Sequence, residues 1–275
     1  MSRTMQLKAR INNLAKENQI SAQAVMQNYM LERLLERISL SIYHDKIILK
    51  GGMLIASLVG INNRTTMDMD ATLRGYPLSE DTIRVALTEI CAVHVDDEVT
   101  IFVDHIVPIR DEDEYGGYRV SIISRFESII TPLKIDITTG DIITPEAVRY
   151  GFQSIFEDKL IEVWAYNIET ILAEKIETIF RRSVLNTRLR DFYDVYIILK
   201  SQAEVIKKEV FKSALKATSE KRLSSQIVNE HARILMTIQS DPIIRQRWDR
   251  YCIEYHYANG INFDEVLKTI RKLIE

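Results

Sequence analysis

Apolar and polar residues recur along the chain with two different periods, and the places where the period changes mark the predicted elements. Residues 5–43 follow a helical period and predict two helices. The second starts near Ser21 as N-cap and carries Val25, Met26, Tyr29, Met30, Leu34 and Ile38 on one stripe. The period then falls to two. "KIILK" (46–50) predicts a strand, "GMLIASLVG" a short helix opened by glycine, and "TTMDMDATL" (65–73) a strand. "SEDTIRVALTEICAV" predicts a helix capped by Ser79 with acids in its first turn. Strands follow at "VTIFVDHIVPI", "GYRVSIISRFE" and "PLKIDITTG", the first two joined by the acidic turn "RDEDEYGG". From Asn167 the pattern is helical almost to the end. No repeat, low-complexity stretch or Pro/Gly-rich linker intervenes, so the boundary near 150–166 is a change of structural class only. The expectation is an α+β chain: an α/β domain over 1–165 with N-terminal helices, a mixed sheet and flanking helices, then a helical domain over 166–275.

Alternation on the strands also sorts the charged residues. Along 65–73, Met67, Met69, Ala71 and Leu73 are expected on one face, with Thr66, Asp68, Asp70 and Thr72 on the other. "LKIDI" does the same, with Leu133, Ile135 and Ile137 against Lys134, Asp136 and Thr138. If the two strands are neighbours, three carboxylates converge, which is electrostatically costly unless a cation neutralises them. Hard divalent cations take oxygen ligands, and magnesium keeps waters and phosphates in its shell. Such a cluster suits metal-assisted phosphoryl or nucleotidyl transfer. A lone Asp-x-Asp on a solvated sheet face would mean nothing of the kind. Gly51 and Gly52 add to the picture, because bare backbone N–H groups at a helix start form an anion site suited to a triphosphate.

The series "GGMLIASLVGINNRTTMDMD" resembles the nucleotidyltransferase core shared with DNA polymerase beta. Within it, the series is similar to the AbiEii-like abortive-infection toxins, whose signature runs from Gly-Gly or Gly-Ser through a short helix to Arg-x-Ser/Thr-x-Asp-x-Asp. Here those positions are Gly51, Gly52, Arg64, Thr66, Asp68 and Asp70, with Gly52 where many superfamily members carry serine. In the second half, "NIETILAEKIETIFRR" puts Lys175 on the apolar stripe of Ile168, Ile171, Leu172, Ile176 and Ile179. That lysine either snorkels to the edge of the stripe or is a buried-facing cation, and methionine there is expected to keep helix and packing. "RDFYDVYIIL" puts Asp191 and Asp194 on one helical face, as helix-initiating acids or as site residues. The family carries a Lys-containing helix followed by an Asp-Phe/Leu-x-Asp segment at these points, and the resemblance spans roughly residues 25 to 200.

The resemblance implies a toxin that transfers a nucleotide from an NTP, GTP or CTP, to an RNA hydroxyl, with tRNA as the acceptor. Asp68, Asp70 and Asp136 would hold two Mg2+ ions. Gly51, Gly52 and Lys175 would bind phosphates, helped by Thr66 and Asp194. Asp191 would act as a base or orient the nucleotide, and Arg64 would contact phosphate or pair with a carboxylate. A small DNA-binding antitoxin encoded nearby is the implied partner. Kinase-like phosphotransfer at the same NTP site, or a catalytically silent nucleotide-binding module, stays open as an alternative.

Composition narrows this only a little. With 275 residues, 46% hydrophobic and 27% charged, the chain is of ordinary globular type. A net charge of -3 argues against indiscriminate nucleic-acid binding. The basic runs "FRRSVLNTRLR" and "KKEVFKSALKATSEKR", including Arg181, Arg182, Lys207 and Lys208, are therefore the candidate RNA contacts or simply solvated helix faces. Cys91 and Cys252 match no metal spacing and are expected as buried free thiols. The five histidines are scattered. The start of the chain is polar where a signal peptide would be apolar, and no stretch is long enough to span a bilayer, so no membrane partner and a cytoplasmic location are expected.

Overall fold

The computed structural model describes residues 2–109 and 116–275. Two compact units divide the chain, one of residues up to 141 with 147–165, the other of 142–146 with 166–275.

In the first unit the elements run α1 (Arg3–Glu17), α2 (Ala22–Leu40), β1 (Ile47–Lys50), α3 (Gly51–Val59), β2 (Met69–Leu73), α4 (Glu80–Cys91), β3 (Val99–Ile109), β4 (Gly117–Phe126), β5 (Ile129–Thr139), β6 (Val148–Gln153) and β7 (Leu160–Ala165). The seven strands form one mixed sheet in the order β3-β4-β5-β2-β1-β7-β6. β2 runs parallel to β5 and β1 parallel to β7, while the other pairs are antiparallel. One face is the core: Leu49, Met69, Ala71, Val120, Ile122, Leu133, Ile135 and Ile137 are all buried. At about 25 cal/mol per Å2 of apolar surface removed from water, this face is the main stabilising term of the unit. α2 lies against β5 and β7.

β6 and β7 extend the sheet where the sequence predicted only a change of class. The Leu160–Ala165 burial pattern alternates strictly until Trp164, which pairs across to Ile48 and is flanked by the guanidiniums of Arg74 and Arg149. Six of the residues in the predicted turn "RDEDEYGG", 110–115, lie outside the described residues.

α2 carries four buried charges among its apolar positions: Glu32, Arg33, Glu36 and Arg37. Each is paired, as burial demands. Glu32 accepts from Ser154 Oγ at 2.6 Å and from the Ile155 N–H at 2.7 Å. Arg37 forks onto Asp97 at 2.7 and 2.8 Å and donates to the Val99 carbonyl at 2.6 Å.

The second unit is helical: α5 (Ile168–Arg182), α6 (Leu189–Ser201), α7 (Lys208–Lys221), α8 (Ser225–Asn229), α9 (His231–Ser240), α10 (Pro242–Glu254) and α11 (Phe263–Ile274). Asn167 caps α5 by accepting from the Thr170 N–H, and its amide donates to the carbonyls of Thr144 and Glu146 at 2.9 Å each, which ties segment 142–146 to this unit. An aromatic cluster of Phe192, Trp248, Tyr251 and Phe263, with ring centroids 5.3 to 5.6 Å apart, fills its core.

Candidate active site

On the polar face of the sheet, register alone aligns four charges across four strands. Lys50 on β1 pairs with Asp70 on β2, Asp70 with Asp136 on β5, and Asp136 with Arg119 on β4. Neighbouring strands are roughly 4.8 Å apart, so Asp70 and Asp136 stand side by side. Thr72 and Thr138 form the next row. Lys50 Nζ donates to Asp141 Oδ2 at 2.6 Å and to Thr138 Oγ1 at 2.8 Å. Burial alone would raise the Asp141 pKa, but the Lys50 charge and its hydrogen bond, with those of Thr138 and Thr72, hold it below the usual carboxylate value.

Asp68 departs from the predicted alternation. β2 begins only at Met69, so Asp68 lies in a bend before the strand, exposed, and Met67 is exposed instead of joining the core face. Thr65–Asp68 have no ladder partner. Side chains hold them: Asn28 Nδ2 donates to the Thr66 carbonyl at 2.8 Å, Thr66 Oγ1 to the Asp68 carbonyl at 3.2 Å, and Arg64 to the Thr65 carbonyl. Arg64 and Thr66 are both buried. Backbone groups captured by side chains have no need of a strand partner.

The two glycines follow from this packing. Gly51 has φ +65, and a Cβ there would stand 2.5 Å from Asp70 Cγ and 2.7 Å from Asp70 Cβ. The Gly52 N–H, at the start of α3, donates to Asp70 Oδ2 at 3.2 Å. A Cβ on Gly52 would meet Thr66 Oγ1 at 2.7 Å and an Arg64 guanidinium nitrogen at 2.9 Å. Five residues of the sequence motif, Gly51, Gly52, Arg64, Thr66 and Asp70, are thus brought into one packed group.

Arg119 is the feature that the sequence reading missed. Its Nε and a terminal nitrogen donate to Asp136 Oδ1 and Oδ2 at 2.8 and 2.7 Å. That hydrogen bond and the charge of Asp136 push the guanidinium pKa up, burial pulls it down, and Asp68 and Asp70 add to the rise. Among the described residues no three His, Cys, Asp or Glu side chains are already gathered as a metal set. The donor chemistry nevertheless fits a hard divalent cation: Asp70 and Asp136 share a register position, Asp68 precedes Asp70 by two residues, and all three offer only carboxylate oxygen.

In the helical unit, Lys175, Asp191 and Asp194 form a group of their own. Lys175 Nζ lies 2.7 Å from Asp191 Oδ1 and 2.8 Å from Asp194 Oδ2. Burial would lower the lysine pKa, but Asp191 and then Asp194 more than offset it and hold it raised. Lys175 does not snorkel: its side chain is 17% exposed, and it neutralises Asp194, which is fully buried. Of the basic residues considered as RNA contacts, Arg181 is bound to buried Glu177 at 3.1 Å, beside Arg222, which pairs with the same carboxylate at 2.6 Å. Lys207 and Lys208 are exposed. Cys91 and Cys252 are free thiols, as expected, but half-buried where full burial was expected, and among the described residues no helix is long and apolar enough to cross a membrane.

The family described as "Nucleotidyl transferase AbiEii toxin, Type IV TA system" matches residues 33–269. The chain belongs to the AbiEii family. This match takes in both units and every residue of the two charged groups. Solved structures with a similar course include a Helicobacter pylori protein described as a candidate nucleotidyltransferase, at 18% identity over 93% of this chain and 94% of that one, with a TM-score of 0.49. JHP933 from Helicobacter pylori is 16% identical over 92% and 91%, with a TM-score of 0.48. An antigenic nucleotidyltransferase-like protein from Paracoccidioides brasiliensis is 16% identical over 71% and 92%, with a TM-score of 0.39. No curated protein matches the sequence. As an AbiEii-family chain, the protein is a nucleotidyltransferase of a toxin–antitoxin type, and an antitoxin partner and a nucleotide substrate follow from that membership.

Proposed function

We propose that this AbiEii-family protein transfers a nucleotide from an NTP, GTP or CTP, to a hydroxyl of RNA, with the tRNA 3′ end as acceptor, and that its catalytic face is the polar side of the β2–β5 pair. The observation that carries this reading is the parallel register that sets Asp70 beside Asp136 while the Gly52 N–H holds Asp70 from the start of α3. Asp68, Asp70 and Asp136 would hold Mg2+. When bound, the ion supplies charge neutralisation for the triphosphate and polarisation of the acceptor hydroxyl. The chain itself does the rest. Gly51 and Gly52 let the start of α3 pack against Asp70, Thr66 and Arg64, and to the backbone N–H groups of that helix start we assign the phosphate. Thr66 and Arg64 fix the loop that presents Asp68. To Lys175 we assign phosphate binding and to Asp191 and Asp194 the orientation of the nucleotide, on family resemblance alone, each to be tested by its own variant. The protein acts in the bacterial cytoplasm, where the RNA is, and a small DNA-binding antitoxin neutralises it.

The test is incubation of purified protein with Mg2+, total RNA and each NTP labelled on the α- or the γ-phosphate, with induction in a bacterium lacking the antitoxin gene alongside. Label from the α-position in RNA, growth arrest, and loss of both in Asp70→Ala support the reading. Label from the γ-position alone replaces nucleotidyl with phosphoryl transfer, and equal toxicity of Asp70→Ala removes the sheet face from the chemistry.

A further inference from the structure

The carboxylate face is not left to repel itself. The Arg119 guanidinium spans both oxygens of Asp136 at 2.8 and 2.7 Å, and the antiparallel register of β4 on β5 seats the base of its side chain directly opposite that aspartate. Its guanidinium also feels the charges of Asp68 and Asp70, while Lys50 stands beside Asp70 at the other end of the row. The arginine side chain is 49% exposed and Asp136 22%, so the guanidinium is free to swing into solvent without unpacking the core. A fork that uses both carboxylate oxygens competes directly with a hard metal ion, which needs those same oxygens.

We propose that Arg119 is the site's own resident cation, and that a divalent ion binds Asp136 only by displacing it. The proposal rests on the metal role given to Asp136 above. It makes Arg119 a positioning residue with two states: forked onto Asp136 when the ion is off, and released onto the polar face when the ion is on. Metal loading thereby exposes a positive group beside the place proposed for the triphosphate, so ion and polyanion favour each other's binding. The competition also sets a threshold of divalent concentration below which the acids stay capped.

Equilibrium binding of Mn2+ without nucleotide, read by electron paramagnetic resonance or calorimetry, tests this in wild type, Arg119→Gln, Arg119→Lys and Asp136→Asn, with circular dichroism checking the fold. Arg119→Gln should bind Mn2+ about tenfold more tightly, because removing an opposing charge a few Å from the ion relieves a repulsion that falls off with distance. Arg119→Lys keeps the charge and loses the fork, so it should fall between. In an Asp136→Asn background the Arg119→Gln gain should vanish, which a double-mutant cycle resolves. Unchanged or weaker Mn2+ binding in Arg119→Gln, with binding weakened by Asp136→Asn, would overturn the competition while leaving the metal site standing. Wild-type Mn2+ binding that Asp136→Asn leaves untouched would instead overturn the metal role of Asp136, and the inference with it.

Discussion

Gly51→Ala probes the contact on which the placement of Asp70 depends. At φ +65 an L-residue carries a left-handed penalty of about 1–2 kcal/mol. The new methyl would also stand 2.7 Å from Asp70 Cβ, too near the backbone for a change of rotamer to relieve. Asp70 must therefore shift with its strand, and the bond from the Gly52 N–H is lost. A hydrogen bond to a charged acceptor is worth about 1.5–3 kcal/mol, so the total is about 2.5–5 kcal/mol, a large share of the roughly 5–15 kcal/mol that holds a domain together. Gly75→Ala is the matched control, because Gly75 has φ +61 with nothing within 4 Å of a built Cβ. It should cost only the conformational part. The assay is urea unfolding of both variants with Mn2+ binding measured in parallel. Equal destabilisation by the two substitutions, with Mn2+ affinity intact in Gly51→Ala, would refute the claim that Asp70 is braced against Gly51.

Lys175→Met should destabilise the helical unit by about 3–5 kcal/mol, because it leaves two acids, one fully buried, without their cation. This corrects the expectation that methionine would keep the packing, and a urea midpoint equal to wild type would contradict it. Arg37→Ala removes a fork to Asp97 and a bond to the Val99 carbonyl, all buried, and should cost about 3–5 kcal/mol by thermal or urea unfolding; a loss under about 1 kcal/mol would mean the pair behaves as a surface bridge. Asp141 has a depressed pKa in the folded chain, so its contribution is present above its unfolded value of 3.8 and is lost as pH falls through the lower folded value. Asp141→Asn should be less stable than wild type at pH 7, and the gap should close as pH drops below 3.8; a gap that is constant from pH 7 to 3 would show that Lys50 does not stabilise that carboxylate.

Much of this was legible along the chain because its causes are local. The change of period, the Ser21 and Ser79 caps and the two-faced "LKIDI" each depend on a few neighbouring residues, and Ser79 even forms a reciprocal cap with Thr82. The carboxylate pair was legible as two separate strands, while their adjacency required the sheet order, which no local pattern carries. β6 and β7 escaped for a related reason. Their partners are β1, about a hundred positions earlier, and each other, although the alternation of "LIEVWA" was there to be seen. The start of β2 was misplaced because Thr66 and Asn28 capture backbone carbonyls that alternation would have given to a ladder. Arg119 alternates with Tyr118 and Val120 in plain view, yet only the register of β4 on β5 reveals which acid it meets. The burial of Glu32 and Arg37 was not legible, because the partners that satisfy them, at residues 154, 155 and 97, lie far along the chain.

The most direct test of the account is a crystal structure of the full chain grown with Mn2+ and a non-hydrolysable NTP analogue, with anomalous scattering collected at the manganese edge. The account predicts an anomalous peak between the carboxylates of Asp70 and Asp136, the analogue's phosphates at Gly51 and Gly52, and the Arg119 guanidinium turned away from Asp136. Bound analogue with manganese elsewhere, and Arg119 still forked onto Asp136, would contradict it.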